Sequence, residues 1–299
     1  MTNNSLPVTP ADIDAAAKVI APFAVRTPLL SSAALNARIG ANVFLKPELL
    51  QRTGSFKFRG AFNKLSSIPE DKRSGGVVAF SSGNHAQGVA AAAQILKMQA
   101  TIVMPADAPV SKRERTKSYG AEVVLYDRDR EDREAIAREI AEDMTALGLT
   151  PDIVVAPASG GGLIAGIATA VKAKFPQTKV IVAEPKDYDD HGLSLRAGKR
   201  EAHHAKHRTI CDALMAEMPG EITFAINGKL LGGGVTASDE EVGAAIAFAF
   251  RELKLVVEPG GVVGLAALLS GRLDAQGKNV VIVLSGGNID ADLYAKLIA

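Results

Sequence analysis

Residues Ile153–Pro185, IVVAPASGGGLIAGIATAVKAKFPQTKVIVAEP, decide the architecture. Ile153 to Ala156 is a β-branched run too short for a helix, and it ends at a proline and a serine. Gly160, Gly161 and Gly162 come next, then an apolar helical pattern from Leu163 to Phe175, then a second β-branched run from Val180 to Ala183. Buried strands that alternate with helices imply parallel sheet and an α/β architecture. A glycine cluster between elements is ordinarily a turn, but this one has a further use. Glycine lets the backbone bend close to an anion, and the helix from Leu163 presents unpaired N–H groups to it. The helix dipole adds ~0.3–1 kcal/mol for a bound negative group. A phosphate is the natural guest.

The same pattern extends in both directions. Val77 to Phe80 leads through Ser81-Ser82-Gly83-Asn84-His85 into a helical stretch from Gly88 to Leu96. Thr101 to Met104 precedes a basic helix from Ser111 to Tyr119, and Glu122 to Tyr126 precedes a charged one around Glu131 to Leu147. Val280 to Leu284 runs into Ser285-Gly286-Gly287-Asn288. Open parallel sheets bind ligands beyond the carboxyl ends of their strands, where the loops at Ser81, Ser159 and Ser285 fall. No fixed-period repeat and no linker divides the chain, so two domains, if present, are interwoven. Glu201 to Arg208, EAHHAKHR, has no regular ligand spacing and reads as an exposed, solvated loop.

Composition narrows the function. The 34 basic residues balance 33 acidic ones in a chain of 299, leaving no surplus for nucleic acid or an anionic membrane. The single cysteine, Cys211, rules out an intrachain disulfide and fits a reducing compartment. Met1 to Pro10 is polar and shows no signal peptide, so the cytoplasm is the expected location.

Two readings compete for the chemistry. Gly160, Gly162 and Ala165 satisfy the dinucleotide pattern G-x-G-x-x-A, and Glu184 ends the next strand where a ribose-binding acid would sit. That reading makes a nicotinamide oxidoreductase, but it leaves Gly54-Ser55-Phe56-Lys57-Phe58-Arg59-Gly60 unused. There a lysine is bracketed by two aromatics and two glycines. On an amphipathic helix it would be an ordinary surface lysine. Held among apolar groups, its amine has a depressed pKa and can form an imine with an aldehyde.

Taken in order, GSFKFRG, SSGNHAQG, SGGGLIAG and the terminal SGGN resemble the fold-type II pyridoxal-phosphate enzymes. The likeness is greatest to the threonine/serine ammonia-lyase and serine racemase group, and it runs from about Thr27 to Asp290. It implies the tryptophan synthase β-like fold: a large cofactor domain (residues 1–74 and 146–299) and a smaller inserted α/β domain (residues 75–145). It also implies site roles. Lys57 would carry pyridoxal phosphate as an imine and act as general base, with Phe56 against the ring. Asn84 would bond the ring hydroxyl. Ser159, Gly160, Gly161, Gly162 and Leu163 would cradle the phosphate, and Ser285 would meet the pyridine nitrogen. A neutral hydroxyl there suits elimination of a β-substituent. Ser81, Ser82, Asn84 and His85 would bind the substrate carboxylate, and Ser82 matches the opposite-face serine of serine racemases. Glu258 matches an acid near the cofactor. Arg133 matches an arginine that meets a second carboxylate.

The resemblance further implies a homodimer acting on a small amino acid, and a divalent-cation site. Glu184, the Tyr188 carbonyl and Asp190 would be ligands for Mg²⁺, Mn²⁺ or Ca²⁺; an acidic surface turn is the ordinary alternative. The expected activity is conversion of a threonine- or serine-type hydroxy-amino acid to a keto acid and ammonia. Alternatives are a serine or aspartate racemase, a 3-hydroxyaspartate dehydratase, or a non-catalytic cofactor carrier. Three departures stand out. Ala213 replaces a common glycine. The chain stops soon after Asn288 with no appended regulatory domain, which fits a catabolic enzyme. The helix at Glu131 to Leu147 meets Asp152 almost directly, where relatives have another strand, loop and helix. Loss of that much core would cost several kcal/mol. The expectation is therefore that native residues are missing here, with a backbone break between about Ala135 and Thr145.

Overall fold

The computed structural model describes residues 6–81, 83–105, 108–126 and 150–299. Helix α1 (Pro10–Ile20) starts at a Thr9–Asp12 capping box with proline in its first turn. Then come β1 (Leu30–Ser31), α2 (Ala33–Ile39), β2 (Asn42–Pro47) and α3 (Lys57–Ser66). A second group comprises β3 (Val77–Phe80), α4 (Asn84–Ile95), β4 (Ala100–Pro105), α5 (Val110–Ser118) and β5 (Glu122–Tyr126). The remainder runs β6 (Ile153–Pro157), α6 (Gly162–Lys174), β7 (Lys179–Pro185), α7 (Asp190–Ala197), α8 (Glu221–Leu230), β8 (Gly234–Ala237), α9 (Asp239–Phe248), α10 (Pro259–Leu269), β9 (Asn279–Leu284) and α11 (Ala291–Ile298).

Two sheets result. One has the order β1-β2-β9-β6-β7-β8 and is parallel except for β1; the other is β3-β4-β5, wholly parallel. The strands β6, β7 and β9 explain why the sequence shows unbroken apolar runs where a half-exposed sheet would alternate. Ile153, Val155, Ile181, Ala183, Val280 and Ile282 bury into one core with Val262 and Leu265 of α10. Val154, Ala156, Val180, Val182, Val281 and Val283 bury into another, on Ile164 and Ile167 of α6. Successive side chains point to opposite faces, and both faces are covered. A third core joins Phe58 and Phe62 of α3 to Ala86 and Val89 of α4 and Ile102 of β4.

The expected strands and helices of the cofactor-loop units are present to within a few residues, and β1, β2 and β8 are additional. Residues 201–208 form no helix or strand, as expected of a loop, but the segment is not simply solvated. The His203 ring lies 4.4 Å from that of Tyr188, and His207 accepts a 3.1 Å hydrogen bond from the Tyr188 hydroxyl. Ser82, Arg133, the charged helix at 131–147 and the break expected at 135–145 lie outside the described residues.

Beneath α3 is a buried ion pair. Arg59 grips Glu48 with two 2.9 Å bonds to its two carboxylate oxygens, and both residues are at most 1% exposed. Thr27 donates to the same carboxylate at 2.7 Å. The pair fixes the first turn of α3, whose first residue is Lys57.

Candidate active site

Lys57 is buried, and its Nζ lies 5.7 Å from the centre of the buried Phe56 ring. The segment before it crosses the loop after β9. Phe56 N–H donates to the Ser285 carbonyl at 3.2 Å, Ser55 and Gly286 form an antiparallel bridge, and Gly287 N–H donates to Gly54 O at 2.9 Å. Ser285, also buried, is thereby brought beside the lysine segment. Phe56 shares a core with Ala158 and Leu163, which joins the glycine loop to the same place.

The loop itself is built for an anion. Gly161 has φ +90°, a left-handed conformation favouring glycine, and caps α6. The helix's first internal bond is Ala165 N–H to Gly161 O at 3.0 Å. The N–H groups of Gly162, Leu163 and Ile164 thus precede the helix's own pairing. Its carbonyls are engaged: Gly160 O accepts from Thr223 Oγ1 at 2.5 Å and Gly220 N–H at 3.1 Å, and Gly161 O accepts from Asn227 Nδ2 at 3.2 Å. Ser159 and Gly160 are half-buried and Gly161 to Leu163 are buried. A buried lysine beside an aromatic ring, next to a backbone anion cradle, fits an aldehyde that carries a phosphate.

Asn84 opens α4 and is held at both ends. Its Nδ2 donates to Glu258 Oε1 at 2.5 Å, and its Oδ1 accepts from Asn288 Nδ2 at 2.8 Å. Gly286 is required here, because a Cβ would collide with Glu258 Oε1. Glu258 is 1% exposed; burial pushes its carboxyl up, against the pull of Lys112. Lys112 reaches from α5 to within 3.3 Å of Glu258 and 2.8 Å of Asp212. Burial works against its charge, but those two carboxylates outweigh burial and raise it. Arg115 of the same helix donates to Asn288 Oδ1 at 2.9 Å. Ser81 is half-buried and its hydroxyl accepts from Gly83 N–H at 3.2 Å. His85 is half-buried; desolvation and then the nearby Lys57 charge lower its pKa and favour the neutral ring.

Glu184 and Asp190 are buried and adjacent, with His191 as a third member; their ligand atoms lie within 4.8 Å of one another. Both Glu184 oxygens accept backbone N–H groups, from His191 and Gly192, at 2.9 Å each. That engagement caps α7. Burial raises Asp190 to about 7, and the neighbouring Glu184 charge adds to this. Burial opposes charge on His191, yet hydrogen bonds and charge from Asp190 and Glu184 raise it to about 9. Tyr188 is buried, its backbone N–H bonded to Pro185 O at 3.1 Å.

Sequence reasoning missed Lys112, Asp212, Thr223, Asn227 and His191. Asp212 and His191 each sat inside quoted or neighbouring motifs, whereas Lys112, Thr223 and Asn227 carry no local signal. Among the described residues no helix is long and apolar enough to cross a membrane.

Residues 20–149 and 144–286 match the family model described as pyridoxal-phosphate dependent enzyme. An L-threo-3-hydroxyaspartate ammonia-lyase from a Pseudomonas species is 42% identical over 311 residues, spanning 96% of this chain and 97% of that one. An L-threonine ammonia-lyase from Thermotoga maritima is 38% identical, over 97% of this chain and 78% of its own. The solved structure of a maize serine racemase superposes with a TM-score of 0.89 at 32% identity, covering 97% of this chain and 96% of that one.

Proposed function

Since the chain belongs to the pyridoxal-phosphate dependent enzymes, we propose that it is an ammonia-lyase converting a small hydroxy-amino acid to a keto acid and ammonia. The observation that carries this is Lys57, buried beside Phe56 and next to the anion cradle at 159–163. When bound, the cofactor supplies an electron sink for the substrate's α-carbon.

The chain's own residues do the rest. Lys57 holds the cofactor and, once freed by the substrate amine, takes the α-proton. Ser159 to Leu163 hold the phosphate through backbone N–H groups, and Phe56 supports the ring. Asn84, fixed by Glu258 and Asn288, faces the ring hydroxyl, and Ser285 offers a neutral hydroxyl to the ring nitrogen. Ser81, Ser82, Asn84 and the neutral His85 receive the substrate carboxylate. The β-hydroxyl would then leave as water, taking the proton that Lys57 removed, and water would hydrolyse the released enamine to the keto acid and ammonia. The proposal includes a large cofactor domain of residues 1–74 and 146–299, a smaller domain of 75–145, a cytoplasmic location and a homodimer.

The similarity to the Pseudomonas enzyme favours 3-hydroxyaspartate as a substrate. Turnover of L-threonine, L-serine, D-serine and 3-hydroxyaspartate tests this directly. Ammonia release from at least one hydroxy-amino acid is expected, and none from any of the four would remove the lyase reading. Arg133 is proposed to meet the distal carboxylate. Arg133→Ala should lower the ratio of 3-hydroxyaspartate to threonine turnover, and an unchanged ratio removes that role.

A divalent cation at Glu184, Asp190 and the Tyr188 carbonyl is proposed to brace the end of β7. The support is two fully buried carboxylates with converging ligand atoms. Chelator treatment should lower Tm by several degrees, since a ligand at about 100 times its Kd adds ~2.7 kcal/mol. Mg²⁺ or Mn²⁺ should restore it; a melt indifferent to chelator and metal contradicts the site.

A further inference from the structure

We propose that His191 is a cofactor-positioning residue, donating a hydrogen bond from Nε2 to the anion held by the loop Gly160–Leu163. The inference rests on the reading that a phosphate sits at that loop. Three observations carry it. First, the His191 side chain is 0% exposed and, among the described residues, neither of its ring nitrogens has a hydrogen-bond partner. A buried imidazole nitrogen left unpaired is costly, and native structures rarely keep one.

Second, the ring is aimed. Its Nδ1 lies 3.2 Å from Asp190 Oδ2 and 3.4 Å from Glu184 Oε1, while its backbone N–H is bonded to Glu184. Those carboxylates draw Nδ1 by charge, without a hydrogen bond, and the opposite nitrogen, Nε2, faces Gly161 of the loop. Third, a side chain at Gly161 is excluded by this arrangement: a Cβ there would collide with Nε2 and lie 2.8 Å from Asn227 Nδ2. Both polar groups reach into the space that glycine leaves. The carbonyls of Gly160 and Gly161 already accept from Thr223, Gly220 and Asn227, and the Asn227 Oδ1 makes no bond to Nε2, so the acceptor is one that the described residues do not give it. An anion at the start of α6 supplies it.

Two isosteric variants separate this role from a structural one. Glutamine can place its amide nitrogen near the Nε2 position, and asparagine near Nδ1. Equilibrium dialysis of the holoenzymes gives the pyridoxal phosphate Kd, and the ³¹P resonance reports the environment of the bound phosphate. His191→Asn should weaken binding about tenfold or more and move the ³¹P signal, as loss of a charge-assisted hydrogen bond requires. His191→Gln should stay within about threefold of wild type. The reverse order, or wild-type behaviour of both, would overturn the role. Should the asparagine variant not fold, the wild type still decides. The His191 Nε2–H proton resonance should differ between enzyme loaded with pyridoxal phosphate and enzyme loaded with pyridoxal, and an unmoved resonance overturns the proposal. A wild type that takes up no pyridoxal phosphate overturns the cofactor reading along with it.

Discussion

Replacing Lys57 by alanine should lower kcat by roughly 10⁴-fold or more, because one side chain serves as both covalent anchor and general base. The loss should be in chemistry, with the fold intact. Lys57 opens α3, where alanine is a better helix former, and the Lys57 amine is not part of the ion pair that fixes the helix. The phosphate cradle at 159–163 is untouched, so the variant should still bind pyridoxal phosphate, without its lysine-linked absorbance band. Stopped-flow absorbance and single-turnover kinetics measure both effects. Undiminished turnover would remove Lys57 from the reaction and the mechanism with it.

The largest stability effect is expected at Arg59. Arg59→Ala leaves the Glu48 carboxylate in a fully buried position without its cation, a change that costs about 3–5 kcal/mol. At this chain length the melting temperature should fall by roughly 5–8 °C. The pair joins the end of β2 to the first turn of α3, so activity should fall in the surviving folded fraction as Lys57 loses its support. The double variant Glu48→Leu/Arg59→Met should recover much of the stability, because replacing both members leaves no buried charge. A melt for Arg59→Ala within about 1 °C of wild type would show that the pair is dispensable.

The fold was legible where the physics is local. Strands buried on both faces must be apolar, and Ile153–Pro157 is so throughout and β9 is so after its half-buried first residue, Asn279. The helix starts after Gly161 and at Asn84 follow from turns that only certain residues make. Short edge strands were less visible: β1 has two residues and β8 four, one of them glycine, too little for a pattern. The family match falls in two stretches that share residues 144–149, at the same segment where the core expected from relatives departs from this sequence.

The candidate site followed a similar division. Lys57, Asn84, Ser285 and the glycine loop were legible as candidates because each sits in a motif with its own local signal. Lys112 was not, because its role arises only when α5 lies over Glu258 and Asp212, residues 146 and 100 positions away in sequence. His191 was missed for another reason. Beside two aspartates it reads as a surface residue, and only the fold turns its second nitrogen toward Gly161.

Everything in the proposed reaction depends on Lys57 carrying the cofactor. Borohydride reduction of the enzyme loaded with pyridoxal phosphate, followed by proteolysis and mass mapping, tests it most directly. A phosphopyridoxyl group is expected on Lys57 alone, within the GSFKFRG segment. A label on another lysine, or none in an enzyme that nevertheless releases ammonia, would contradict it.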